Sequence, residues 1–263
     1  MKRPLISHEV PKSLLNENLS ISDFQYALPH LLESDETYRN FFLKCKEDGV
    51  EIYLDNSLHE LGVSLNDDVL LKWLNILKPS TFFVPDVWEN QMDTIANAYR
   101  WIKYQDEFPE TTFTAVVQAT SIKEAAECYT AFKNMGYKKI AFSYGASFYN
   151  DIFPHSNKNI GKALGRVNAI SILKWWDVIE DTDQIHLLGC SLPLEFSFYQ
   201  DMPFIESIDS SNPVMSAIDG IYYSDLMHDK PKANMNNSFE INIEDIDMYA
   251  VDHNVNAFKQ LFK

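Results

Sequence analysis

Cysteine, positive charge and long apolar runs are all scarce in this chain of 263 residues. Cys45, Cys128 and Cys190 lie far apart in unrelated contexts. They form neither a disulfide framework nor a metal-ligand spacing, so a reducing cytoplasm is the expected compartment and no metal site is expected. No apolar run approaches the roughly 20 residues that cross a bilayer, which argues against a membrane helix. The start, MKRPLISHEVPKSLL, carries no apolar core of a signal peptide. Lys and Arg number 22 against 38 Asp and Glu, a formal net charge of −16. Tight nonspecific nucleic-acid binding needs phosphate neutralisation, so any such surface is expected to be small and local. The nearest candidates are Lys158, Lys162 and Arg166 in HSNKNIGKALGRVNAI. The same three residues also read as the solvated face of a helix.

What the chain does contain is a repeated alternation of short apolar runs and helical periodicity. Residues 1–20 read as an irregular leader, and residues 21–263 as one domain. Ile21–Leu28 suggests a first strand and Tyr38–Glu47 a helix closed by Asp48-Gly49. Strands follow at Glu51–Leu54, Thr81–Val84, Thr112–Val117, Lys139–Ser143, Ile185–Leu188 and Phe204–Ile208. Between them the spacing predicts helices over Asp67–Leu77, from Met92 to Ile102, from Ser121 to Met135 and over Gly161–Val178. Ser121 with Glu124 reads as a capping box. Such a unit recurring about every 30 residues fits an open doubly wound sheet or a barrel. No glycine-rich phosphate loop follows the first strand, so the expected fold is α/β, a single-domain (β/α)8 TIM-like barrel. Gly220–Tyr223 or Asp247–Val251 is the candidate eighth strand, His228–Ser238 a polar loop, and Asn254–Phe262 a last helix.

In a parallel barrel the reactive groups sit just past the strand C-termini. Asp55, Asp86, Gln118, Gly145, Gly189 and Asp209 hold those positions. Three carboxylates and an amide can read the polar edge of a heterocycle, the glycines admit a flat ligand, and one carboxylate is spare for chemistry. Each polar residue is also a plausible helix cap, Asp209 above all, since Ser-Ser-Asn-Pro follows it. His59 and Glu60 reach the same mouth or start a helix. Phe148, Tyr149 and Phe153, in the loop after Gly145, suit base stacking. Trp175 and Trp176 read as core residues. His253 reads as a surface residue.

Four of these segments resemble the tRNA-guanine transglycosylases. LLGCSLPLEF, Leu187–Phe196, is similar to that family's LMGVGxPEDL. ESIDSSNPV, Glu206–Val214, resembles its nucleophile segment DxFDCVxPTR. EIYLDNS is similar to LTDSGGFQ, and AVVQ to IVQGG. By that resemblance Asp209 is the nucleophile that attacks C1′, and Asp55 the general acid/base. Asp86 and Gln118 read the base edge, and Gly145 and Gly189 flank it. The family's zinc cluster is absent, its double glycines are replaced by Asn56-Ser57 and Ala119-Thr120, and the arginine of PTR is missing. The chain therefore looks most like the short, zinc-free DpdA-type relatives of phages and bacteria, which put a 7-deazaguanine into DNA.

The implied activity is exchange of guanine for a preQ0-like 7-deazaguanine through a covalent aspartyl-glycosyl intermediate, without a cofactor. The implied partners are DNA, with the guanine flipped out, and a free 7-deazaguanine base. A homo-oligomer or an accessory protein is compatible, and no membrane is implied. The cytoplasm, of the host for a phage protein, is the expected location. Lys158, Lys162, Arg166 and Phe148 are the candidate nucleic-acid contacts. Three alternatives stand beside this: an N-glycosidase of free nucleosides, a transglycosylase acting on tRNA, and a non-catalytic base-binding module.

Overall fold

The structure, a computed structural model, describes residues 3–190, 192–224 and 239–262. Its centre is an eight-stranded parallel sheet rolled into a nearly closed barrel and wrapped by helices, a (β/α)8 fold. The strands are β1 (Leu5–Ser7), β2 (Gln25–Ala27), β3 (Ile52–Leu54), β4 (Thr81–Phe83), β5 (Thr112–Val117), β6 (Lys139–Ser143), β7 (Gln184–Leu188) and β8 (Ile205–Asp209). Their spatial order is β1-β8-β7-β6-β5-β4-β3-β2. Nearly every strand residue is buried, as expected of strands with a packed barrel on one side and helices on the other.

The helices in chain order are α1 (Leu15–Ile21), α2 (Pro29–Ser34), α3 (Glu36–Glu47), α4 (Leu58–Leu61), α5 (Asp67–Leu77), α6 (Gln91–Trp101), α7 (Ile122–Met135), α8 (Tyr149–Ile152), α9 (Lys158–Trp175), α10 (Asn212–Ile218) and α11 (Met248–Gln260). Side-chain caps start the long ones: Asp35 for α3, Asn66 for α5, Asn90 for α6, Ser121 for α7 and Asn157 for α9. The expected capping box is half made. Ser121 Oγ accepts from the Glu124 amide, but the Glu124 carboxylate turns to Thr120 instead of the cap's own N–H.

The barrel closes differently from the expectation. Residues 3–20 do not form the irregular leader expected: β1 pairs with β8, Ser7 opposite Asp209, and α1 follows. A strand of three residues is too short to show periodicity. Neither candidate eighth strand is one. Tyr223 lies in an extended loop, and Asp247 caps α11, whose first turn takes up Met248–Val251. The strand within Ile21–Leu28 is β2, the second. At the seam between β1 and β2 the Asp23 amide donates to Ile6 O (2.8 Å) and the Asp23 carboxylate accepts from the Ile6 amide (2.8 Å). The His228–Ser238 loop lies outside the described residues.

Inside the barrel, rings replace the usual aliphatic layers. Phe24 and Tyr53 stack at 3.9 Å, and Phe24, Tyr26, Tyr53 and Phe83 surround the imidazole of His186. At the N-terminal end Lys139 plugs the floor, bonded to Glu206 (2.7 Å), Tyr53 and Thr81. Trp175 and Trp176 are not core residues. They stand 80% and 44% exposed at the end of α9, Trp175 on the side away from Ile170 and Leu173, which are buried. Among the described residues no helix is long and apolar enough to cross a membrane.

Candidate active site

The C-terminal mouth of the barrel holds a cavity of about 90 Å³, room for a single ring system but not for a length of polymer. Asp55, Asp86, Gln118, Gly189 and Asp209 line it together, contributed by the ends of β3, β4, β5, β7 and β8. Glu9, Tyr26, Asn56, His59, Glu60, Trp88 and Tyr144 complete most of the wall. Five carboxylates therefore face one small space, and no Lys or Arg lines it.

Asp209 ends β8 and is 3% exposed. It does not cap the following helix: Ser211 precedes α10, and the carboxylate turns inward. Its Oδ1 lies 2.9 Å from His186 Nε2, and its Oδ2 accepts from the Gly189 amide at 3.2 Å. His186 Nδ1 lies 2.8 Å from Ser207 Oγ. Burial, with Lys139 and Arg166 adding to it, holds His186 well below its usual pKa, so the ring is neutral. With a carboxylate as acceptor, the tautomer is Nε2–H, and Ser207 donates to Nδ1. The contact is a hydrogen bond, not an ion pair.

Asp55, just past β3, accepts from Tyr26 Oη at 2.9 Å and from the Ser57 amide at 2.8 Å. Burial raises its pKa against the pull of those two donors. Burial, then Asp55 and Asp209, keeps Tyr26 a neutral phenol. Asp86 accepts from Asn56 Nδ2 at 2.8 Å and from Gln118 Nε2 at 2.6 Å. Gln118 Oε1 in turn accepts from the Glu89 amide at 2.9 Å, which fixes the amide's orientation. Burial pushes Asp86 up to about 7. Glu60 at the rim is pushed up to about 8 by loss of solvent, then by Asp55 and Glu9.

Several expected contacts fall elsewhere. Gly145 does not line the cavity; it lies under the Trp88 ring, where an added Cβ would come within 2.8 Å of Cη2. Arg166 is not a surface cation. It is fully buried against Glu195 (2.5 Å), because α9 turns that residue toward the barrel. Lys158 remains exposed and Lys162 half-buried. Phe148 and Tyr149 are buried and pack α8 onto the barrel, Tyr149 donating to Ser143 O, so neither offers a stacking face. Phe153 is half-buried beside His155, outside the cavity. The rings that do face the ligand space are Tyr26, Trp88 and Tyr144. His59 and Glu60 do both things expected of them, lying on the short α4 and lining the mouth. His253 is on the surface of α11, bonded to Tyr223 O.

Sequence reasoning missed Glu9, Tyr26, Asn56, Trp88, Tyr144 and His186. A histidine inside the apolar run IHLL was the one local signal for His186. Among the described residues no group of three or more His, Cys, Asp or Glu is arranged to hold a metal ion. Compared with known protein families and with characterised proteins, the chain gives no match.

Proposed function

We propose that this protein exchanges a guanine for a 7-deazaguanine base at an N-glycosidic bond in DNA. One observation carries the reading: Asp209 and Asp55 share a small cavity with the hydrogen-bonded pair Asp86 and Gln118. Displacement at an anomeric carbon with retention takes one covalent and one proton-transferring carboxyl group. Asp209 attacks C1′, a C1′–O bond forms as the C1′–N bond breaks, and the Asp55 carboxyl gives its proton to the departing guanine. In the second half the incoming base loses its N9 proton to the Asp55 carboxylate. Its nitrogen attacks C1′ and Asp209 leaves. Burial raises the pKa of Asp55 and so favours its protonated form, which suits the first step. Asp86 keeps lone pairs for the N–H groups of the base, and Gln118 keeps one N–H for its carbonyl.

A second reading is hydrolysis of a free nucleoside, with water in place of the incoming base. The burial of Arg166 favours it, since only Lys158 and Lys162 remain of the expected phosphate groove. One experiment separates the readings. The protein is incubated with guanine-containing DNA, or in parallel with tRNA or guanosine, and an isotope-labelled 7-deazaguanine. The nucleosides are then analysed by mass. Labelled nucleoside in DNA supports the exchange proposed here, and label in tRNA moves the substrate. Free guanine without label uptake supports hydrolysis. No change with any substrate, alongside quenching of Trp88 fluorescence by guanine, leaves a base-binding module.

A further inference from the structure

Arg166 does not itself line the cavity, yet every N–H-bearing nitrogen of its guanidinium is bonded, and two of its partners, Leu188 and Gly189, belong to the cavity wall. From α9 its guanidinium reaches the ends of two strands. Nη1 donates to Leu188 O at 2.8 Å and to Phe142 O at 3.2 Å, and Nη2 donates to Gly189 O at 2.9 Å. Nε donates to Glu195 Oε1 at 2.5 Å, in the 3-10 turn Pro193–Tyr199, and Tyr199 Oη donates to the same oxygen at 2.7 Å. Both charges are fully buried.

The Leu188 carbonyl and the Gly189 amide belong to one peptide group. That group is planar and trans, so its C=O and N–H point in opposite directions. The carbonyl points at Arg166, and the amide points at Asp209 Oδ2, 3.2 Å away. Gly189 has φ +65°, and this turn brings its own carbonyl back onto the same guanidinium. A side chain there would be strained and would overlap the Tyr144 ring.

We propose that Arg166 is a positioning residue, which holds the Leu188–Gly189 peptide by its carbonyl and so aims the peptide N–H at the carboxylate of Asp209. The cation beyond the carbonyl also polarises the peptide, which makes the N–H a stronger donor to a negative oxygen. Glu195 makes this arrangement tolerable, since a buried guanidinium without a counter-charge is strongly destabilising. The inference about kinetics rests on the reaction proposed above; the inference about Asp209 ionisation does not.

The test compares Arg166→Lys with the double variant Arg166→Met, Glu195→Met. Lysine keeps the charge but lacks the planar fork that spans both carbonyls and Glu195. The double variant removes both charges and leaves no buried ion unpaired. Asp209 titration is followed by carbon NMR of protein labelled at aspartate Cγ, the resonance being assigned by its loss in Asp209→Asn. His186, Tyr26, Asp55, Glu9 and Glu60, which share the surroundings of Asp209, are unchanged in both variants, and Arg166→Lys keeps the buried charge, so a shift in that variant reports the peptide rather than the charge. The expected result is an Asp209 carboxyl that titrates about one pH unit higher in the folded double variant, with a partial shift in Arg166→Lys. Base exchange would lose about tenfold in kcat with KM unchanged. An unchanged Asp209 titration in either folded variant overturns the proposal. If the double variant does not fold, Arg166→Lys decides by the same titration. Absence of exchange by the wild-type protein refutes the reaction, and the titration still decides the role of Arg166.

Discussion

His186 Nε2 and Asp209 Oδ1 meet 2.9 Å apart inside the barrel, an uncharged imidazole donating to a carboxylate. The two residues lie on adjacent strands, β7 and β8, and the ring is wedged among Phe24, Tyr26, Tyr53 and Phe83. His186 and the Gly189 amide both meet Asp209 as donors. A carboxylate satisfies both, whereas an amide at this position would face one of them with its own NH₂.

Asp209→Asn is therefore expected to abolish base exchange and to lower stability slightly, with the fold retained in circular dichroism. His186→Phe keeps the ring volume but removes the donor. It is expected to reduce kcat roughly 10- to 100-fold, the worth of a hydrogen bond to a charged group. Steady-state rates on the exchanged base would check both. Full activity in Asp209→Asn would remove Asp209 from the mechanism.

Asp55→Asn is expected to be severely impaired, because it can neither give nor take the transferred proton. Tyr26→Phe, which deletes one of its hydrogen-bond donors, is expected to act more mildly and to move the alkaline limb of the pH–rate profile, where the Asp55 carboxyl loses its proton, upward. Profiles that coincide for wild type and Tyr26→Phe would detach the phenol from Asp55.

Asp86 makes stability fall with pH. In the unfolded chain its carboxyl loses its proton near the ordinary value of 3.8, whereas the folded protein keeps it until about 7. Between those values the folded state binds more protons, so its stabilisation is full below the lower value and lost through the upper one. Denaturant midpoints measured from pH 4 to 8 should decline less steeply in Asp86→Asn than in wild type. Parallel curves would show that Asp86 is ionised throughout.

Of the three cations expected to meet phosphate, only Lys158 and Lys162 reach solvent, Arg166 being buried against Glu195. Lys158→Ala with Lys162→Ala is expected to weaken DNA binding and to lower the salt slope by about two units, one for each phosphate contact. A double variant with the same affinity and slope would leave the free-nucleoside reading the stronger one.

The sequence by itself determined the alternation of parallel strands and helices and the polar residues that close the strands at the mouth. Parallel strands buried on both faces are written as continuous apolar runs, and each run ends where a turn residue stands, so Asp55, Asp86, Gln118 and Asp209 could be read locally. Helix limits such as Asp67–Leu77 came from spacing and caps alone. Only the tertiary structure decided how the barrel closes, since β1 is three residues long and its partner lies some 200 positions away. It also decided which way a side chain faces when the reason sits on another element. Arg166 points inward because Glu195 and the carbonyls of Leu188 and Gly189 meet it there. His186 is set against Asp209 by strand pairing, and Phe148 is buried by the fold of α8 onto the barrel. Periodicity records only a residue's own polarity, whereas these orientations depend on the polarity of neighbours that the chain brings together from a distance.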